Sequence, residues 1–424
     1  MAIFAIRIVF CEIYTTFIVV FVCAKKMVMR LCINNLILTN MKKSFVLLLS
    51  VFTLFAVQQT VAQTPSTKPE NVANWSADKA GEISYAELME ATAAIAKERQ
   101  IPLIQVAYRS PERYFAFEYS TREDVVADPN VQTTFQACSI SKVVFSYIVL
   151  RLVDRGLLDL DKPLYKYYGK KGKVDPRFCN AFETRAENKL NIRRAKMLTA
   201  RMVLNHRTGL PNWAKKIPGT KKEERPLVFK CEPGEKHTYS GEGIWYLQRT
   251  VEHITGKTLE QLAREEVFEP FGMVSSSYVW LPRYKKQGAY GYNKNHEKRG
   301  RGVFKSPNAA YTLTTNVLDF SRFLEKMMVG EGLKPKTFKM WTSSLMPAPK
   351  EATSFGLGVR VSNKGAGRNE VWHHSGSNPN FRCRFMLFPE RKSYLVWYTN
   401  SVYGAKIHKK MRSIYYPDYE GDNF

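Results

Sequence analysis

Acidic residues are scarce in this chain. Against 64 lysines and arginines it carries 38 aspartates and glutamates, a formal net charge of +26. So basic a chain calls either for anionic partners or for nothing more than a solvated basic surface. Nucleic acid is a poor candidate, because no nucleic-acid motif accompanies the charge. Cysteine is sparse too, at 7 in 424 residues. No Cys-x-x-Cys or Cys/His spacing suggests a zinc site. No internal repeat or low-complexity tract is evident, which excludes solenoid and propeller architectures. Long clean apolar runs are missing as well: the run from Ala2 is interrupted by Arg7 and Glu12. Its clean part, residues 13–24, is too short to cross a bilayer comfortably.

What is present at the front is an export signal. Met41-Lys42-Lys43 opens a positive segment, an apolar run covers residues 45–57, and Thr60-Val61-Ala62 offers a small-residue cleavage site. Residues 1–40 read as an over-extended start with Met41 as the initiator; the competing reading is an uncleaved N-terminal anchor. A periplasmic or secreted mature chain of 63–424 is expected, with residues 63–73 as a flexible lead. Cleavage removes six basic residues and Glu12, so the net charge falls from +26 to +21. The excess concentrates in residues 166–194, 215–225 and 294–305. For an exported protein its partners would be anionic cell-envelope polymers or lipid headgroups, with no nucleic acid and no stable membrane span. A monomer is expected. Cys138, Cys179, Cys231 and Cys383 remain, mostly free or structural, and their pairing is left open.

Periodicity predicts an α/β arrangement. A helix is expected over 85–97 and a strand pair over 103–108 and 114–119, joined by the Ser110-Pro111-Glu112 turn. A helix starts near Ser139 and ends at Gly156. The middle is rich in helix and loop. After a helix at 317–328, strands at 355–361, 371–375, 382–388 and 394–399 suit an antiparallel meander, and a helix at 406–414 packs on it.

Three short stretches carry chemistry: Ser139-Ile140-Ser141-Lys142, Tyr239-Ser240-Gly241 and His374-Ser375-Gly376. Alone, Ser-x-x-Lys arises by chance roughly once or twice in a chain this long. In this order and context the three read as nucleophile, general base and substrate-side strand of a serine hydrolase. A serine at a helix N-terminus faces unpaired N–H groups that favour developing negative charge. Lys142, one turn on, returns to the same face and can take the serine proton. Tyr239 would be the second member of the relay, provided nearby cations favour its phenolate. The N–H groups of Ser139 and Ser377 would form an oxyanion hole, and Gly376 lets backbone approach substrate.

These stretches, with their flanks, resemble the class C β-lactamase and penicillin-binding-protein superfamily. Phe135-Gln136-Ala137-Cys138-Ser139 is similar to the lead-in of the first motif. The runs 156–164, 204–211 and 268–273, with Pro233-Gly234 and Phe355-Gly356-Leu357-Gly358, are similar to further landmarks from about Tyr85 to the C-terminus. The resemblance implies a β-lactamase/transpeptidase-like fold: an antiparallel sheet flanked by helices (75–142 and 300–424), a helix-rich lobe (143–299), and a cleft between them. It implies an exported serine hydrolase acting on a β-lactam, a D-amino-acid peptide or a small ester, with no metal or organic cofactor. The alternative is a penicillin-recognising or wall-binding protein that acylates slowly or never turns over.

Two positions depart from the family. Gly241 stands where asparagine is usual, and His374-Ser375-Gly376 replaces Lys-Thr-Gly; both residues, with Ser375 and Gly376, belong to the expected substrate-binding set. Both favour peptidase or esterase activity over β-lactam turnover, and His374 predicts a pH dependence between about 5 and 8. Duller readings stand beside these. Ser139 and Lys142 would otherwise be a helix cap and a surface lysine, Tyr239 a buried tyrosine, and His374 a strand residue with His373 outward. His206 reads as structural; Trp213, Trp245 and Tyr292 either line the cleft or pack in the core.

Overall fold

Nine strands, each antiparallel to its neighbours, make the sheet on which the molecule is built. The computed structural model describes residues 72–74, 83–343 apart from 182, 347–348, 351–362 and 370–420. The segment read as a signal, residues 41–62, lies outside the described residues, as do residues 1–40 and nearly all of 63–73. Among the described residues no helix is long and apolar enough to cross a membrane.

In chain order the strands are β1 (Val72–Asn74), β2 (Leu103–Arg109), β3 (Tyr114–Ser120), β4 (Phe135–Gln136), β5 (Thr314–Thr315), β6 (Pro347–Ala348), β7 (Glu351–Phe355), β8 (Arg360–Ser362), β9 (Val371–Asn378), β10 (Phe381–Phe388) and β11 (Ser393–Thr399). Their order in the sheet is β1-β3-β2-β11-β10-β9-β8-β7-β6, while β4 and β5 form a separate short pair. The sheet therefore joins a front hairpin to a C-terminal meander through the β2–β11 pairing, with Val106 opposite Trp397.

Alternation along the strands feeds two cores. On β11, Leu395 and Trp397 pack on one face with Ile104, Val106, Phe115 and Phe117. Helices α1 (Tyr85–Glu98) and α10 (His408–Tyr415) cover that face, through Leu88, Ile95, Met411 and Tyr415. Tyr394, Val396 and Tyr398 point the other way, into a larger core shared with α2 (Ser141–Asp154) and α8 (Val317–Val329). Both faces being covered explains why every residue of β11 is buried. The α1 start is set by a capping box between Ser84 and Glu87.

Helix α2 is buried almost all round: eleven of its fourteen residues are inaccessible, from Ser141 through Leu150 and again at Leu152. A helix so enclosed is held by packing rather than by propensity. The helix-rich segment between α2 and β5 includes α3 (Arg185–Ala195), α4 (Ala200–Leu204) and α5 (Gly241–Thr255).

Two expectations shift. The strand expected at 355–361 is a hairpin whose turn is 356–359. Gly358 has φ +96° and sits so close to Ser146 of α2 that a Cβ would lie 2.4 Å from the serine Cβ. A β-carbon on Gly356 would fall 2.3 Å from the Trp341 carbonyl oxygen. The turn is thus pressed between α2 and α9 (Pro335–Thr342), a tertiary demand that overrides the apolar alternation. Strand β9, expected to stop at 375, runs on to Asn378 because β10 pairs along its whole length, Phe381 opposite Asn378.

Candidate active site

The chain enters the site through β4 and turns sharply. Cys138 takes a positive φ of +50°, and a short 3-10 turn, Cys138–Ile140, precedes α2. Strain of this kind is tolerated only where surroundings over-determine it. Here the Ser141 hydroxyl donates to the Cys138 carbonyl at 2.5 Å and accepts the Leu313 N–H at 3.1 Å. The Tyr278 hydroxyl donates to the Ser141 carbonyl at 2.7 Å. Ser139 is left partly accessible at the head of the helix.

Lys142 is 1% exposed. Its Nζ donates to Ser139 Oγ at 3.2 Å and to the Ala310 carbonyl at 2.7 Å. The same nitrogen also lies 4.9 Å from the centroid of the Tyr239 ring. The 3-10 turn ahead of α2 thus does not spoil the i, i+3 juxtaposition expected from the motif. Ala310, whose carbonyl anchors the lysine, carries no signal in the sequence.

Tyr239 is held by the loop after α4. The His206 carbonyl accepts the Thr238 N–H at 2.6 Å, and His206 Nδ1 accepts the Ser240 N–H at 3.2 Å. The two rings lie 4.3 Å apart, between centroids. Nδ1 is therefore the unprotonated nitrogen, and Nε2 is buried with no hydrogen-bond partner. Burial first, then Lys142, His237, His374 and Arg360, holds the His206 pKa well below the usual histidine value. His206 is thus a neutral positioning residue for Tyr239. The Tyr239 hydroxyl is itself buried without a hydrogen-bond partner.

His374 lies beneath the site on β9. Its Nδ1 is 2.7 Å from the Ser375 carbonyl oxygen, its ring is 6.2 Å from that of Tyr239, and its Nε2 has no partner. Burial, followed by Arg360 and Lys142, pushes its pKa well below the ordinary value. Titration between pH 5 and 8, expected from its presence in the motif, is removed by that desolvation. Its neighbour His373 is not outward: it is 2% exposed and lies 2.9 Å from Ser362 Oγ through Nε2. Gly376 is needed for closeness, since a Cβ there would meet Cys383 Sγ at 2.3 Å and the Ala137 carbonyl at 2.8 Å. That contact presses β9 against the turn that carries Ser139. All four described cysteines are free, and burial beside Cys138 pushes the Cys383 thiol up.

Above Ser139 opens a cleft of about 560 Å³. Ser139 and Lys142 form its floor, with Ser377, Asn378, Pro379 and Arg382 along one side. Asn212, Trp213, Lys222, Arg225 and Tyr311 form the remainder. Ser377 thus reaches the same cleft as Ser139, whereas Tyr239, Gly241, His374, Ser375 and Gly376, all expected in the site, do not line it. Gly241 opens α5 and is covered: a Cβ on it would meet the Asn212 carbonyl at 2.8 Å and the Trp213 ring at 2.9 Å. Its N–H donates to Asn212 Oδ1 at 3.0 Å. The space an asparagine side chain would need is filled by Asn212 and Trp213. Trp245 and Tyr292 are buried, and only Trp213 of the three doubtful aromatics lines the cleft. Asn212, Lys222, Arg225, Tyr311 and Arg382 were invisible as site residues in the sequence; the basic run 215–225 just after Trp213 was the one available signal.

The sequence profile described as Beta-lactamase matches residues 86–414. A lovastatin esterase from Penicillium rubens is 25% identical over 235 residues, 46% of this chain and 56% of the esterase. The chain thus spans little more than half the length of that relative. The D-alanyl-D-alanine-carboxypeptidase/endopeptidase AmpH of Escherichia coli is 21% identical, over 66% of this chain and 74% of its own. Among solved structures, a class C β-lactamase superposes with a TM-score of 0.64 at 16% identity, covering 82% of this chain and all of that one (100%).

Proposed function

Because the chain belongs to the β-lactamase family, we propose that it is an exported serine hydrolase that opens an amide or ester bond through an acyl-enzyme on Ser139. The observation that carries this reading is the 3.2 Å contact between Lys142 Nζ and Ser139 Oγ at the floor of an open cleft. Ser139 Oγ attacks the carbonyl carbon as Lys142, entering the step as the free amine, takes the hydroxyl proton. The oxyanion is received by the N–H groups of Ser139 and Ser377, two residues that face the same cleft. Collapse of the tetrahedral species breaks the bond to the leaving group, which departs with a proton delivered from Lys142 or Tyr239. Water then attacks the acyl carbon and restores Ser139.

Tyr239 is the group left to activate that water. Its hydroxyl is buried with no partner among the described residues and its ring lies 4.9 Å from Lys142 Nζ, so it would act on that water through Lys142 rather than by direct contact. Neutral His206 and His374 flank it without competing for the proton. Esters and D-amino-acid peptides are the favoured substrates over β-lactams, since Gly241 presents no side-chain amide. The reading of 41–62 as a signal and 63–424 as the mature chain places this activity in the periplasm or outside the cell.

Intact-mass measurement of the purified protein with a chromogenic cephalosporin, a short-chain aryl ester and a D-Ala-D-Ala peptide tests the proposal. An adduct that forms and clears on wild type is expected, with turnover lowered about a thousandfold or more in Ser139→Ala. An adduct that never clears would favour the slow penicillin-recognising reading. No adduct with any donor would refute the acyl-enzyme.

A further inference from the structure

The cleft is walled by cations and contains no acid. Above the floor formed by Ser139 and Lys142, Arg382, Lys222 and Arg225 line it, and among the described residues no aspartate or glutamate does. The three are not spent on salt bridges. The Arg225 guanidinium makes no ion pair with any described residue, and its Nε is buried without a hydrogen-bond partner. Arg382 donates to two backbone carbonyls, those of Asn378 and Phe381.

Lys222 is held in an aromatic cage. Its Nζ lies 4.0 Å from the Trp213 ring centroid, 4.8 Å from that of Tyr311 and 5.3 Å from that of Trp245. Two carboxylates act on it, Glu242, buried and committed to Arg177 at 2.9 Å, and the exposed Glu223 beside it in sequence, and neither forms a salt bridge with it. Cation–π contacts fix the position of an ammonium without neutralising it. Half-buried cations without counter-ions are costly to maintain, and an arriving anion removes that cost. The aromatic walls would also lower the local dielectric and strengthen the attraction.

On this geometry, and resting on the acyl-enzyme reading above, we propose that the substrate carries an anionic group, a carboxylate by its single charge, close to its scissile carbonyl, and that Lys222 and Arg225 receive it. These two residues would then set specificity, while Ser139 and Lys142 perform the chemistry. Trp213 and Tyr311 accommodate the apolar stem that joins carboxylate to carbonyl.

The test compares kcat/KM for two esters with one leaving group: 4-nitrophenyl hemisuccinate, anionic on the acyl side, and 4-nitrophenyl butyrate, its neutral counterpart. A parallel pair, 3-carboxy-4-nitrophenyl acetate and 4-nitrophenyl acetate, puts the charge on the leaving group. Wild type should favour the anionic member of at least one pair by about tenfold or more, and less so as salt rises. That ratio should fall toward unity in Lys222→Met/Arg225→Met, while Arg225→Lys keeps most of it. A ratio at or below one in both pairs, or one unchanged by the double substitution, overturns the proposal. If the neutral esters turn over through Ser139 while the ratio is flat, only this inference fails. If no ester turns over, the acyl-enzyme reading is judged by the intact-mass experiment with the peptide and cephalosporin donors, and the anion site by binding. Calorimetric binding of succinanilic acid against butyranilide then decides the anion site: a preference that the double variant loses supports it, and equal or undetectable binding of both overturns it.

Discussion

Lys142 shows how little of a residue's behaviour its type decides. It is a lysine with almost no exposure, held by one backbone carbonyl and one serine hydroxyl. Gly241 makes the same point from the opposite side. Its motif position suggests a lost asparagine, yet the vacancy is filled by Asn212 and Trp213. Restoring the family residue should therefore fail. In Gly241→Asn, the new Cβ would lie 2.8 Å from the Asn212 carbonyl oxygen, a backbone atom that cannot swing aside. Stability should drop by about 1–3 kcal/mol, read by denaturant titration, as overpacking generally does. Cephalosporin turnover should not rise; a gain in that activity with unchanged stability would show that the space is open after all.

At the level of elements, the site is made by close approach of backbone segments. The Ser139 turn and β9 meet at Gly376, and α2 meets the 356–359 turn at Gly358. Each glycine stands where a methyl group would overlap an atom of the neighbouring element. Gly376→Ala should push β9 and Ser377 away from Ser139. A displacement of this order costs roughly a hundredfold in kcat/KM, with a cooperative melt retained as the sign that the fold survives. Full activity in that variant would mean that the Ser377 N–H plays no part in holding the oxyanion. Helix 85–98 and strands β2, β3, β10 and β11 were legible in the sequence to within a residue or so, because their apolar spacing and caps act locally. The hairpin at 351–362 was not, since the contacts that bend it come from α2 and α9.

Over the whole molecule, burial sets a pH dependence that no local motif announces. His206, His373 and His374 are all held well below the ordinary histidine pKa, burial being the largest cause for each. The unfolded chain therefore binds more protons than the folded one below about pH 6.5, so stability is greatest above that value and falls as pH drops through it. Glu118 works in the opposite sense, because burial raises its pKa well above the carboxylate range. The histidine contribution is isolated by comparing wild type with His373→Asn, which keeps a polar group near Ser362. Below about pH 6.5 the variant should lose stability more slowly, by up to about 1.4 kcal/mol per pH unit. Parallel stability curves would indicate that His373 is charged in the folded protein.

The sequence by itself determined the class of fold and the candidates for the reaction machinery. Ser139 and Lys142 are one helical turn apart, Tyr239 stands at a capped helix start, and strand alternation with long helices specifies an antiparallel sheet under helices; all of this is encoded within a few residues of chain. Only the tertiary structure decided the sign of the cleft, the neutrality of His374 and the filling by Asn212 and Trp213 of the space a side chain at 241 would need. The basic run 215–225 read as solvated surface until folding turned two of its cations inward over Ser139. Desolvation and unpaired charge depend on which distant segments meet, and spacing along a chain carries no record of that.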